Sequence, residues 1–203
     1  QSGKVKLVPL GRRAGSPKSP NRRPVVSKLD VFEAWPTTGS PRAARMADED
    51  SLTEELVVRH GGQYDPELLQ RLTLSGLRLA RLGAGLARCT ALRVLDLARN
   101  KLQHLDGVEV CASLERLLVA RNELTRFGFV AGLAKLDHLD ARANALQDVD
   151  AVAADLRPCA ALAALELRSD DGSDANPCCA APSYAATLRG ALPALRVLDG
   201  ASL

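Results

Sequence analysis

Aromatic residues are scarce in this chain of 203 residues: they make up 3% of the sequence, against 46% for hydrophobic residues as a whole. Leucine, valine and alanine must therefore fill any core. No apolar run approaches the roughly 18 residues that a membrane-spanning helix needs. The N-terminus also lacks the apolar segment of a secretory signal. We expect no membrane span and no membrane partner.

Residues that carry catalysis or bind metals are also few. His60, His104 and His138 are far apart, and none has a Cys or Ser at a spacing that suggests a catalytic triad. The five cysteines include no CxxC pair. The acidic stretch 170–174 lacks the ligand periodicity of an EF-hand. We therefore expect no enzymatic activity, no cofactor, no metal site and no small-molecule substrate.

Charge is divided unevenly along the chain. Residues 1–45 contain ten Lys or Arg and two acidic residues, whereas residues 46–203 contain seventeen basic and twenty-two acidic residues. The first segment is rich in Pro, Ser and Gly and shows no helical or strand period, which predicts an extended arm before a domain that starts at Met46. A basic arm favours RNA or an acidic protein surface such as a microtubule, and the alternative is a solvated tail.

An apolar cluster interrupts the arm at residues 29–35, which contain the single Trp of the chain. Apolar clusters in extended segments are typical of docking peptides. The alternative is that the cluster folds back on the domain. The candidate partner-binding residues of the arm are Arg12, Arg13, Lys18, Arg22, Arg23, Phe32 and Trp35.

Against this background, one pattern repeats at a fixed step of 22 residues. The motif LxxLxLxxNxL begins at Leu92, Leu114 and Leu136, and a degenerate copy begins at Leu69. A fourth repeat begins at Leu162 after a longer step, and the four extra residues amount to about one helical turn. We expect the asparagine of each motif to bond backbone groups left open where the strand turns. These asparagines are Asn100, Asn122 and Asn144.

Cysteines recur three residues before the first leucine of three repeats. A position of this kind is predicted to lie in the core, where a thiol packs as a small hydrophobic group. Buried free thiols also fit a reducing compartment such as the cytoplasm. The three residues are Cys89, Cys111 and Cys159.

Both ends of the repeat array carry signals of caps, which solenoids need to cover their terminal layers. Residues 51–54 fit a helix capping box, and Gly61 and Gly62 can end that helix. Asp65 before Pro66 predicts a second short helix. At the other end, we expect a helix near Tyr184 and a final strand over residues 195–200.

The 22-residue units, the segment Asn176–Tyr184 and the LPALRVLDG sequence of Leu192–Gly200 together resemble the short cytosolic class of leucine-rich repeat proteins and their C-terminal cap. This class includes regulators of type-1 protein phosphatase, axonemal dynein light chain 1 and the spliceosomal A-prime protein. The resemblance covers residues 50–203. It implies a right-handed α/β solenoid with five to six short parallel strands on a concave face and helical or 3-10 segments on the convex face.

The resemblance also implies a non-enzymatic role, because members of the class bind proteins or, in one case, a protein with RNA. We expect a protein-interaction scaffold or a structural subunit of a larger assembly, first an axonemal or microtubule-associated one with tubulin or dynein-type partners. The alternatives are a ribonucleoprotein subunit with its arm on RNA and a regulatory subunit of a type-1 phosphatase. The corresponding locations are the cytoplasm, including the ciliary axoneme, or the nucleus. A mitochondrial presequence is a further alternative, because residues 1–28 are rich in Arg and Lys and free of acidic residues.

Strand alternation places the third, fifth and seventh positions of each repeat on the concave face, with the eighth position at the edge of the strand. Leu118 interrupts a column of acidic residues there, and an apolar centre with a charged rim is the usual composition of an interface. The alternative is a solvated face whose charges pair with one another. The candidate partner-binding residues of this face are Asp96, Arg99, Arg116, Leu118, Arg121, His138, Asp140, Arg142, Glu166 and Arg168.

Overall fold

The structure, a computed structural model, describes residues 50–128 and 130–203. The predicted arm and the expected domain start at Met46 lie outside the described residues. The same holds for every candidate residue of the arm, namely Arg12, Arg13, Lys18, Arg22, Arg23, Phe32 and Trp35.

Short strands follow one another in chain order through a single sheet. Within the described residues they are β1 (Arg71–Thr73), β2 (Val94–Asp96), β3 (Arg116–Leu118), β4 (His138–Asp140), β5 (Ala164–Glu166), β6 (Val197–Leu198) and β7 (Ala201–Ser202). Strands β1 to β6 are parallel, and β7 turns back antiparallel to β6. The fourth-position leucines face one another across the ladder, so the predicted parallel strands are confirmed. The last of them is shorter than the predicted 195–200 and covers only Val197–Leu198.

Helical segments cover the other side of the repeats. The described α-helices are α1 (Glu54–Gly61), α2 (Val149–Leu156) and α3 (Tyr184–Ala191), and the 3-10 turns are Pro66–Leu68, Val108–Val110, Val130–Gly132 and Pro177–Ala180. Helix α2 occurs where the sequence has four extra residues, and Val152 and Leu156 remain buried. The added turn therefore keeps the core face in phase, as predicted.

Leucine dominates the core, and Phe127 is its largest fully buried side chain. The predicted core cysteines are buried free thiols. Burial raises the pKa of Cys111 to about 12 and that of Cys159 to about 11. These thiols therefore stay protonated and pack as apolar groups.

The N-terminal cap differs from the prediction in one respect. Thr53, not Ser51, caps α1, since its Oγ1 accepts a hydrogen bond from the backbone N–H of Leu56 at 3.3 Å. Ser51 instead forms an isolated parallel bridge with Arg81. The left-handed residue Gly62 ends the helix as expected, with φ of 66°.

The asparagine ladder is confirmed. Asn122 Oδ1 accepts from the N–H of Leu102 at 3.1 Å, and its Nδ2 donates to the carbonyls of Leu97 at 3.0 Å and Val119 at 2.9 Å. One amide thus links three neighbouring backbone segments. Asn100 and Asn144 make equivalent bonds.

Asn176 adds a rung that the sequence pattern did not reveal. Its Oδ1 accepts from the N–H of Leu146 at 3.3 Å, and its Nδ2 donates to the carbonyl of Leu167 at 2.7 Å. Two insertions hide its place, because four extra residues precede β5 and a further loop, residues 168–173, follows Leu167. Asn176 then takes the same position relative to the core as the asparagines before it.

No helix among the described residues combines the length and apolar character needed to cross a membrane.

Candidate functional site

The predicted concave-face residues lie on the open side of the sheet. In β3, exposed Arg116 and partly buried Leu118 alternate with fully buried Leu117. Strand pairing places Leu118 directly between Asp96 and Asp140. The predicted strand phase is therefore correct, and an apolar side chain lies at the middle of the ladder outside the core.

Charges over β4 and β5 are paired with one another. Arg142 donates to both oxygens of Asp140, at 2.9 Å from Nε and 2.8 Å from Nη2, and its Nε lies 3.3 Å from Glu166 Oε2. The hydrogen bonds that Arg142 donates to the Asp140 carboxylate raise the pKa of Arg142. Glu166 Oε1 also lies 3.8 Å from His138 Nε2. This half of the face matches the alternative in which concave charges satisfy one another.

Asp140 accordingly differs from its expected role. The residue is only 8% exposed, and both carboxylate oxygens are held by Arg142. A partner could reach Asp140 only by breaking a bidentate ion pair, which costs more than forming a surface contact. Asp140 therefore positions Arg142 instead of offering a free carboxylate.

Arg168 belongs to the C-terminal cap. Its Nε donates to Asp199 Oδ2 at 3.1 Å, and its guanidinium carbon lies 5.8 Å from the ring centre of Tyr184. The Tyr184 hydroxyl donates to the same carboxylate at 2.8 Å, while Asp199 Oδ1 accepts from the N–H of Leu167 at 2.8 Å. The sequence motif places both Tyr184 and Asp199 in the cap, but it does not predict that the two side chains bond to each other.

Charges over β1 to β3 are arranged differently. Among the described residues, the exposed side chains of Arg99 and Arg116 have no hydrogen-bond or ion-pair partner. The carboxylate of Asp96 accepts from the N–H of Ala98 at 2.9 Å and has no cationic partner in this part of the chain. The unpaired arginines thus lie on the N-terminal half of the concave face, next to Leu118.

Arg121 is held by a residue that sequence analysis did not connect with it. Its Nη2 lies 2.9 Å from Asp174 Oδ2 and its Nε lies 3.3 Å from the same oxygen. Asp174 follows the inserted loop 168–173, and 53 residues separate the two partners. No short-range pattern could have predicted this ion pair.

The eighth position of the repeats has left-handed backbone geometry. Arg99 and Arg121 both have φ of 59°, Ala143 has φ of 51°, and the first repeat has Gly76 there with φ of 74°. An L-residue in this region costs roughly 1–2 kcal/mol relative to the right-handed region, whereas glycine adopts it freely. Arginine is thus present where the backbone favours glycine.

Small side chains lie beside these arginines at the seventh position. Ala98 and Ala120 leave a concavity of about 310 Å³ that is bordered by Arg99, Arg121 and Arg142. Among the described residues, no group of three or more His, Cys, Asp or Glu side chains is arranged to hold a metal ion. Asp140 and Asp174 also border the concavity and pair with Arg142 and Arg121, so the guanidinium available there to recognise an anion is that of Arg99.

Comparison with known proteins identifies the fold. No family model and no curated protein matches the sequence. A chain in the crystal structure of the Drosophila melanogaster SNF/U2A' complex is 25% identical, with a TM-score of 0.60 over 75% of this chain and 85% of that chain. The internalin inlF of Listeria monocytogenes is 17% identical, with a TM-score of 0.51 over 68% of this chain and 36% of that one. Residues 50–203 therefore have the leucine-rich-repeat solenoid fold.

Proposed function

We propose that this protein is a non-enzymatic scaffold that binds another protein on the N-terminal half of its concave face. The observation that carries the proposal is Leu118, a partly buried apolar residue at the middle of the ladder with no place in the core. Exposed Arg116 and Arg99 lie on the same half of the face. An apolar centre with a charged rim is the usual composition of an interface, and arginine is enriched among the residues that contribute most to binding.

The fold supports the same proposal. A solenoid presents an extended open surface made of residues that its core does not need, so that surface is free to specialise in binding. The similar chain from the SNF/U2A' complex is itself part of an assembly.

The decisive experiment replaces Leu118 by Glu in the full chain. The side chain lies outside the core, so the melting temperature should change little, while capture of protein partners from a cell extract should be lost. Thermal melting and affinity capture followed by mass spectrometry measure the two effects. Unfolding of the Leu118→Glu protein would place Leu118 in the core, and unchanged capture would place the binding surface elsewhere.

A matched control is Val110→Glu. Val110 is 37% exposed and lies in a 3-10 turn on the convex side of a repeat. The substitution adds the same charge in place of a partly exposed apolar residue, yet it should leave capture intact. Equal loss of capture in both variants would indicate a general effect of charge and contradict a concave binding site.

We infer two candidate assemblies. A ribonucleoprotein subunit, with the basic arm on RNA, gains weight from the likeness to a chain of the SNF/U2A' complex over most of its length. An axonemal or microtubule-associated subunit rests on the sequence resemblance to dynein light chain 1 and on the basic arm. The Asn176–Tyr184 segment also resembles leucine-rich repeat-containing protein 61. The same class of repeat proteins includes regulatory subunits of type-1 phosphatase, so this role is a further candidate.

A further inference from the structure

Three arginines and one carboxylate from an inserted loop meet at the concavity described above. Arg142 is already satisfied by Asp140, and Arg121 is held by Asp174. Arg99 lies on the same wall and has no partner among the described residues. The concavity is therefore bordered by two guanidinium groups that internal carboxylates hold and by one, that of Arg99, without a partner among the described residues.

Asp174 reaches this place because of the insertion after Leu167. Its carbonyl accepts from the N–H of Ala143 at 2.8 Å, just as the Arg142 carbonyl accepts from the N–H of Arg121 at 2.8 Å one repeat earlier. Asp174 thus occupies the seventh position of its own repeat, and its side chain points back along the face. The Arg121 side chain extends across the intervening repeat and contacts the Asp174 carboxylate.

The left-handed turn at the eighth position does not require an arginine. Gly76 occupies the equivalent left-handed position of the first repeat, so the turn itself requires no side chain. Arg99 and Arg121 keep long cationic side chains at a backbone position that disfavours them. Local strain of this kind points to a role in binding when it recurs at a candidate site.

We propose that the concavity binds a carboxylate of an acidic partner segment between Arg99 and Arg121, and that Asp174 is a built-in competitor that the partner displaces from Arg121. This inference rests on the proposed function, because it names the chemistry of the partner at that face. The bound carboxylate would give Arg99 an ion-pair partner and would replace Asp174 as the partner of Arg121. Asp174, whose side chain is 25% exposed, would then turn to solvent.

The molecule itself indicates carboxylate as the ligand. Asp174 on Arg121 and Asp140 on Arg142 both place a carboxylate on a guanidinium fork within this small region. Nucleic acid is less suited, since the described residues that border the concavity are alanines, arginines and acids and include no aromatic ring on which a base could stack. Its two carboxylates would also oppose a continuous phosphate backbone.

The test measures binding of a fluorescein-labelled octaglutamate peptide to the full chain by fluorescence anisotropy at low ionic strength. Asp174→Asn keeps the backbone bond of the residue but removes the competing charge. It should tighten binding about two- to fivefold, the range expected for one exposed ion pair. Arg99→Gly should weaken binding by a similar factor while the melting temperature stays equal or rises.

Three controls keep the test specific. Asp170→Asn removes the same charge from the loop that precedes Asp174, and Asp170 makes no hydrogen bond or ion pair among the described residues, so the affinity should change less. Adding Arg121→Gln to Asp174→Asn should abolish the gain. The basic arm is common to all variants, so differences between them report on the concavity.

Each outcome decides the proposal. Unchanged or weaker peptide binding by Asp174→Asn, or an equal gain with Asp170→Asn, would overturn the competitor role. A gain for a labelled oligouridylate without one for the peptide would show a phosphate site instead. Loss of partner capture by Leu118→Glu together with an inert Asp174→Asn would leave the scaffold function standing and reject only this inference.

Discussion

At the scale of single residues, the asparagine ladder is the interaction most specific to this fold. Asn122 is buried, and its amide bonds backbone atoms of the preceding repeat through both Oδ1 and Nδ2 and of its own repeat through Nδ2. Asn122→Ala would leave the N–H of Leu102 without its acceptor in a place that water reaches poorly. The carbonyls of Leu97 and Val119 would each lose one of their two amide donors and keep the other, from Asn100 and Asn144 respectively. The free energy of unfolding should fall by about 1–3 kcal/mol. Urea denaturation measures the loss.

Asn122→Asp sharpens this test, because a carboxylate keeps the acceptor for Leu102 but cannot donate to the two carbonyls. It should destabilise the protein at least as much as alanine at neutral pH. Gln103→Ala, at an exposed neighbouring position, is the control and should have little effect. If the asparagine ladder does not stabilise the fold, the native protein and the variants Asn122→Ala, Asn122→Asp and Gln103→Ala will have equal free energies of unfolding.

At the scale of elements, helix α2 is tied to the preceding repeat through Asp155. Its side chain is 10% exposed and accepts from Arg126 Nη2 at 2.9 Å and from the N–H of Phe127 at 3.0 Å. Burial alone would raise the pKa of Asp155, but these hydrogen bonds outweigh burial and lower it. The charged carboxylate therefore anchors the longer convex segment.

The sign of the pH effect follows from this lowered pKa. The stabilisation is present above the unfolded pKa of about 3.9 and is lost as the pH falls through the lower folded value. Asp155→Asn should reduce the free energy of unfolding by about 1 kcal/mol at neutral pH, and the difference from the native protein should vanish in acid. Denaturant titrations at several pH values measure it. A difference that persists unchanged in acid, or one that Asp137→Asn reproduces, would contradict the role of the Asp155 charge.

Some strands and contacts could be predicted from the sequence, and others could not. The 22-residue step was enough to place strands β2 to β4 and the asparagine ladder, since each leucine of the motif meets its counterpart one repeat away. The place of Asn176 in the ladder could not be predicted, because two insertions separate it from Asn144 and the motif no longer keeps its spacing. The pairing of Arg121 with Asp174 depends on where the inserted loop folds, and the burial of Asp140 depends on how Arg142 lies over it. Neither has a local signal in the sequence.

At the scale of the whole molecule, the uneven charge separates two kinds of surface. The concave face of the domain combines paired ions with a few free arginines, whereas the first 45 residues carry ten basic residues against two acidic ones. A surface of mixed charge favours one matching partner, while a segment of one sign attracts any polyanion. The arm should therefore add affinity and the concave face should add selectivity.

The arm prediction follows from its charge and distinguishes the two candidate assemblies. Replacing Arg12, Arg13, Arg22 and Arg23 by Gln in the full chain should weaken salt-sensitive binding to a polyanion, because exposed charges are screened within about 8–10 Å at physiological salt. If the ligand is single-stranded RNA and all four arginines contact phosphates, the slope of log K against log salt should become shallower by about 3. Retention on immobilised RNA and co-sedimentation with microtubules, each over a range of salt concentrations, measure the effect.

Salt-sensitive binding to RNA alone would favour the ribonucleoprotein subunit, and binding to microtubules alone would favour the axonemal one. Binding to neither at low salt would mean that the arm is a solvated tail and that the concave face must supply both affinity and selectivity.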